Sequence, residues 1–396
     1  MTQEIDPRVI AQMASRRRFI GGGAAAAAAM ILGPSFLAAC GSENKSASGG
    51  SSGSAAPVDD GSPATGKLRI SNWPLYMADG FIAAFQTATG LTIDYKEDFN
   101  DNEEWFAKNK EPLSRKQDIG ADLVVPTEFM ASRLMGLGWA NEISDSRWTN
   151  KKNMRADLLS AKADPGRKYT APYMSGILGL AYNRAATGRD ITKVDDLWDP
   201  VFKGKVSLLS EMRDGLGMVL ISQGGSPADP TIEGIQKAVD LIKEHKDRGQ
   251  IRRFTGNDYA DDLAAGNIIV AQAYSGDVVQ LQKDNPDLQF VVPEAGSNTF
   301  VDTMMIPYTT QNQKAAEEWI NYVYDRANYA KLIDFVNYVP VLSDMTDELN
   351  KINPDAAKNP LINPPQATLD KLTAWAPLTD EQTVAFNKAY ATVTGA

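Results

Sequence analysis

Cysteine and histidine are almost missing from this chain of 396 residues: each occurs once, as Cys40 and His245. A single thiol closes no disulfide within the chain, and neither a Cys-rich nor a His-rich metal site can be assembled. Ser-His-Asp or Cys-His catalysis would have to run through His245. That residue lies in 232–248, an amphipathic helical stretch, among Lys243, Glu244, Lys246 and Asp247, which predicts a solvated helix face. Phosphate cradles are missing too: there is no Gly-x-x-x-x-Gly-Lys-Ser/Thr and no Gly-x-Gly-x-x-Gly between strand and helix. The acidic loop Asp98 to Asn102 lacks the turn glycine of a calcium loop, and Asn109 stands where its bidentate acid belongs, so no metal and no cofactor is expected. Positive charge is short, with 40 Lys and Arg against 50 Asp and Glu and a net charge of −10. This balance speaks against nucleic acid or anionic lipid as partners and is compatible with collecting cations.

The N-terminal region has its own signature. Ser15-Arg16-Arg17-Arg18-Phe19-Ile20 fits the twin-arginine export pattern. The uncharged run 19–39 is long enough to span a bilayer, but it is mostly Ala and Gly and holds Pro34. It ends in Leu37-Ala38-Ala39-Cys40, the pattern at which lipoprotein precursors are cut and acylated. Residues 1–39 therefore read as a lipoprotein signal peptide, and Cys40 as the lipidation site. Two acyl-chain linkages there would make a stable membrane anchor. The leader carries Glu4 and Asp6 against Arg8, Arg16, Arg17 and Arg18, so its removal takes the charge from −10 to −12. Residues 41–65, rich in Ser, Gly and Ala, cannot order themselves and form a flexible tether of roughly 25–30 Å root-mean-square span. The expected location is extracytoplasmic, at the membrane surface.

The body, 66–396, is too long for one core and predicts two lobes. Strand and helix patterns alternate: strand 67–73, helix 79–89, strand 91–95, helix 103–115 interrupted near Pro112, strand 121–126 and helix 129–137. The rhythm returns with strand 204–209, helices 215–222 and 232–248, strand 251–254, helix 259–265 and strands 268–273 and 288–292, before a mainly helical last hundred residues. The fold class is α/β, with a sheet flanked by helices in each lobe. Segments 168–183 and 298–308 are extended and lack helix signals, which makes them the places for the chain to cross between lobes. The expected division is 66–179 with 300–348 for the first lobe, and 180–299 with 349–396 for the second.

Aromatic and acidic residues gather at strand ends, where open α/β sheets bind ligands. Trp73 and Tyr76 follow the first strand, Thr127, Glu128 and Phe129 the third, Glu211 and Asp214 the strand ending at Leu209, and Tyr274 and Asp277 the strand ending at Ala273. Phe300 and Asp302 flank the second crossover. Each alone is better explained by a core, rim or helix-cap position. Together they could form a cleft in which ring faces attract a cation and carboxylates accept from ammonium groups.

The ordered landmarks Ser71-Asn72-Trp73-x-x-Tyr76, Ala121 to Pro126, Ala171-Pro172-Tyr173 with Gly176, Asp196-Leu197-Trp198, Tyr274-Ser275-Gly276-Asp277 and Asp302 before Ile306-Pro307 resemble the spermidine/putrescine-binding proteins that feed bacterial ABC importers. The resemblance runs from Leu68 to about Tyr390 and implies a two-lobed clamp with the ligand between mixed sheets. It implies aromatic walls at Trp73, Tyr76, Phe129, Tyr274 and Phe300, a hydroxyl at Thr127, acids at Glu211, Asp214, Asp277 and Asp302, and a late tyrosine contact at Tyr338. Pro74, Phe129, Tyr274, Phe300 and Ala376 depart from residues frequent in that family, which opens the choice of amine. The implied role is non-enzymatic: a monomer that captures a polyamine and delivers it to membrane permease subunits. A related role for 4-aminobutyrate or an opine, and a glycoside hydrolase built on Glu211 and Asp214, are the alternatives.

Overall fold

The computed structural model describes residues 60–395. The export signal, Cys40 and most of the tether lie outside the described residues. The chain opens with strand β1 (Lys67–Asn72), and glycines at 80 and 90 frame helix α1 (Phe81–Thr89). Gly90 takes a left-handed backbone (φ 74°) and returns its N–H to the Gln86 carbonyl, a conformation that costs glycine little. Strand β2 (Thr92–Glu97), helix α2 (Asn102–Ser114), strand β3 (Leu123–Val124) and helix α3 (Glu128–Gly136) complete the first βαβα series. Asp101 caps α2 by accepting from the Glu103 and Glu104 amides. The expected interruption near Pro112 does not occur, because Pro112 lies in the last turn and its missing N–H removes only one bond there.

The expected crossovers are strands β4 (Thr170–Asn183) and β9 (Ser297–Met305). Between them come β5 (Val206–Leu209), α4 (Met212–Ser222), α5 (Ile232–Asp247), β6 (Ile251–Thr255), α6 (Tyr259–Ala264), β7 (Val270–Tyr274), α7 (Ser275–Gln282) and β8 (Leu288–Val291). Helices α8 (Gln313–Val323) and α9 (Arg326–Val336), strand β10 (Leu372–Ala374) and helix α10 (Asp380–Thr394) follow. The main strand order is β2-β1-β3-β9-β4-β7-β5-β6. Neighbours pair parallel at both ends and antiparallel around β4 and β9, so the sheet is mixed.

Two hydrophobic cores hang on this sheet. One gathers β1, α1, β3, α8 and α9, with Phe85, Leu123, Trp319 and Ile333 at its centre. The other gathers β5, α4, α5, β7 and α10, with Leu208, Leu216, Val239 and Val270. Strand β4 serves both: Tyr173 and Met174 pack into the first, Leu178 and Leu180 into the second. Leu349, Ala356, Ala357 and Ile362 pack into the first core, not with the second lobe as expected, because the helix Thr346–Ile352 lies beside α9 and the helix Pro354–Lys358 packs on it. His245 also differs from expectation. It is half-buried, stacks on Trp198 at 4.4 Å between centroids, and burial lowers its pKa.

Candidate functional site

The carboxyl ends of strands from both cores converge on one hollow. Trp73 and Tyr76 reach it from the loop after β1, Thr127 from the end of β3, Glu211 and Asp214 from the start of α4, Tyr274 from β7, Phe300 and Asp302 from β9, and Tyr338 from the loop after α9. Nine of the eleven ligand-contact positions read from the sequence thus share one hollow. Tyr274 and Phe300 pack against both cores, which places the cavity at their junction.

Asp302 anchors one side. It is 3 % exposed and accepts from the Tyr76 hydroxyl at 2.7 Å and the Thr127 hydroxyl at 2.7 Å. Asn102 in turn donates to the Thr127 hydroxyl and accepts from the Thr127 amide, which fixes that rotamer. Hydrogen bonds to a charged group are worth about 1.5–3 kcal/mol each, against a desolvation penalty of several kcal/mol for an ion taken out of water. Burial wins: it pushes Asp302 up to about 7 despite its two donors. Asp214, which accepts from the Tyr274 hydroxyl at 2.8 Å, is likewise pushed up by burial, to about 6. Burial and the neighbouring Asp214 charge raise Glu211 well above the usual carboxylate range. Glu211 caps α4 through the Asp214 amide, and its other oxygen, Oε1, has no hydrogen-bond partner in its buried place. The cavity is thus a set of carboxyls short of positive charge, and a cation entering it would restore their ionisation.

The apolar side is a continuous aromatic edge. Tyr76 meets Tyr338 at 5.5 Å between centroids, Tyr338 meets Phe300 at 5.8 Å, and Phe300 meets Tyr274 at 5.2 Å, each pair edge to face. Two glycines make room for it. A Cβ at Gly176 would lie 2.2 Å from the Phe300 ring, and one at Gly276 would lie 2.6 Å from the Tyr338 ring. Gly176→Ala should push the Phe300 ring into the cavity and weaken ligand binding by about tenfold, the usual scale of core overpacking. Titration calorimetry of the variant checks this, and unchanged affinity would contradict it.

Phe129 and Asp277 do not line the cavity. Phe129 turns its face to the Arg213 guanidinium, whose central carbon stands 3.9 Å from the ring centroid. Asp277 is sealed behind the aromatic edge, accepting from the hydroxyls of Tyr259 at 2.7 Å and Tyr338 at 2.6 Å. Residues not anticipated as ligand contacts also line the hollow: Asn100, Asp101, Asn102, Leu209, Thr255, Gly256 and Asn257. Asn100 to Asn102 follow β2, and Gly256 and Asn257 follow β6, so the strand-end rule would have found them. Asp101 is the cap of α2. Among the described residues no group of His, Cys, Asp and Glu side chains could hold a metal ion, and no helix is long and apolar enough to cross a membrane.

A mixed sheet spanning two cores, with a charged and aromatic hollow at their junction, defines a solute-binding clamp. The family described as bacterial extracellular solute-binding protein matches residues 80–364, and the chain belongs to it. A spermidine/putrescine-binding periplasmic protein of Haemophilus influenzae is 29% identical over 272 residues, 68% of this chain and 73% of that protein. A putrescine-binding periplasmic protein of Pseudomonas aeruginosa is 29% identical over 317 residues, 75% of this chain and 80% of that one. Among solved structures, a Listeria monocytogenes protein superposes with a TM-score of 0.74 at 24% identity, over 83% of this chain and 98% of its own. The substrate-binding protein of a Streptococcus pneumoniae spermidine/putrescine ABC transporter gives 0.69 at 23%, with the same coverage of 83% and 98%. These likenesses establish the two-lobed binding-protein fold.

Proposed function

We propose that the chain captures a linear polyamine of the putrescine or spermidine type outside the cytoplasm and delivers it to the permease of an ABC importer. One observation carries the reading: Asp302, Asp214 and Glu211 line a single hollow together with an unbroken aromatic edge. Ring faces attract the cation and cover its methylenes, while the carboxylates accept from ammonium groups. The names of the similar periplasmic proteins support the same ligand class. A zwitterion such as 4-aminobutyrate would bring a carboxylate among these acids, which disfavours it. Glu211 caps a helix through one oxygen and Asp214 accepts from a tyrosine hydroxyl, which supports capture of a ligand over hydrolysis by this pair.

In this reading Trp73, Tyr76, Tyr274, Phe300 and Tyr338 wall the ligand, and Thr127 holds Asp302. Asp277 acts from behind: it fixes Tyr338 directly, and Tyr259, whose hydroxyl also accepts the Tyr274 amide, links it to Tyr274. The lobes are 66–179 with 300–362, and 180–299 with the C-terminal part that carries α10, pivoting on β4 and β9. The protein is a monomer tied to the membrane by acylated Cys40, with residues 41–65 as its tether. Titration of residues 41–396 with putrescine, spermidine, spermine and 4-aminobutyrate tests the ligand class. We expect amine binding below the millimolar range and none for 4-aminobutyrate; the reverse order, or turnover of a glycoside, overturns the assignment.

A further inference from the structure

Arg213 is only 6 % exposed, yet it faces neither water nor the cavity. It projects from α4, an element of the second core, and lays its guanidinium on the ring of Phe129, which packs against the first core. Its Nη1 lies 3.6 Å from Glu211, and neither Nε nor Nη1 has a hydrogen-bond acceptor. A buried cation is rarely left with idle N–H groups unless its flat face is used. Nearby, three more contacts join the same two bodies. Ser210 donates to Asp101 at 3.1 Å, and Asn387 of α10 donates to Glu103 at 3.4 Å. Gly256 lies so close to the Asn100 carbonyl that a Cβ there would stand 2.5 Å away. The partners on the first-core side are Asn100, Asp101 and Glu103, at and just before the start of α2, and Phe129 at the start of α3.

The geometry points to Arg213 and Phe129 as a latch between the lobes: a positioning pair that sets how strongly the protein holds any ligand by stabilising the closed arrangement, without touching the ligand. The inference rests on the clamp reading above. A stacked arginine attracts a ring face by its flat, weakly hydrated guanidinium, and most strongly where water is excluded. Because the stack joins the lobes, opening breaks it. Ligand affinity is scaled by the fraction of molecules in the competent state, so loosening the latch lowers the affinity for every ligand by one common factor. A residue in contact with the ligand would instead change the ratio between ligands.

The test uses the full chain carrying Cys40→Ser, with spin labels at exposed Lys110→Cys on α2 and Lys237→Cys on α5. Phe129→Leu keeps apolar bulk and removes the ring face. Arg213→Lys keeps the charge beside Glu211 and removes the flat fork. Each should weaken putrescine and spermidine binding by the same factor, about tenfold, and shift the ligand-free distance distribution toward longer separations. Phe129→Trp should restore both readouts. Unequal factors for the two amines would assign the pair to ligand contact and overturn the latch. So would a distance distribution that neither variant moves. If the parent protein binds neither amine while the variants still lengthen the distances, the latch stands and the polyamine assignment fails.

Discussion

Asp302→Asn should weaken polyamine binding at pH 8 by roughly 10- to 150-fold, the equivalent of one hydrogen bond between charged partners. The carboxylate has two oxygens, and each accepts from a different hydroxyl, Tyr76 on one and Thr127 on the other. An asparagine offers one oxygen and one NH₂, so one of the two hydroxyls would face a donor and have to reverse. Charge and orientation are lost together, in a place too buried for water to compensate. The fold should tolerate the change, since removing a desolvated carboxylate relieves a penalty. Calorimetry at pH 8 with a thermal melt of the same sample separates the two effects. Affinity within threefold of the parent would remove Asp302 from the ligand's surroundings.

The second large effect is on pH. Empty protein holds Asp302 with a pKa of about 7 and Asp214 with one of about 6, both raised by burial. A polyamine cation requires the ionised forms, so binding must expel the protons that these groups carry. From pH 8 to pH 5 the affinity should fall by about a hundredfold through Asp302 and a further tenfold through Asp214. Proton release on binding should be measurable as a buffer-dependent heat near pH 6.5. Stability without ligand runs the other way. A carboxyl raised from 3.8 to about 7 stabilises the folded state fully below 3.8 and loses that contribution as pH rises through 7. Ligand-free protein should therefore lose stability from pH 4 to pH 8, while the melting shift produced by putrescine grows. An affinity flat between pH 5 and pH 8 would mean that these carboxyls do not meet the cation.

Much of this was legible in the chain because sequence periodicity reports directly on burial. The parallel β1, β2 and β3 series, the stripe Ile235, Ala238, Val239, Ile242 on α5 and the extended crossovers were all visible as patterns. The site was legible to the extent that strand ends are. What escaped depends on which way a side chain turns, and spacing does not encode that. Phe129 occupies a strand-end position, yet it is claimed by Arg213 from across the junction. Asp277 is one turn from Tyr274 and is claimed by two tyrosines, one of them 61 residues away. Helix signals after residue 345 were equally visible, but their packing against the first core rests on the contact of Thr346–Ile352 with α9.

The first core takes residues from Leu68 at one end of the body to Ile362 near the other. No stretch emerging early from the ribosome holds all of it: Phe81 and Phe85 of α1 meet Trp319 and Tyr322 of α8 only when most of the polypeptide exists. Long-range closure of this kind slows folding and leaves sticky intermediates in its wake. A nascent chain of this protein therefore needs shielding for most of its synthesis, whichever gate it later leaves by.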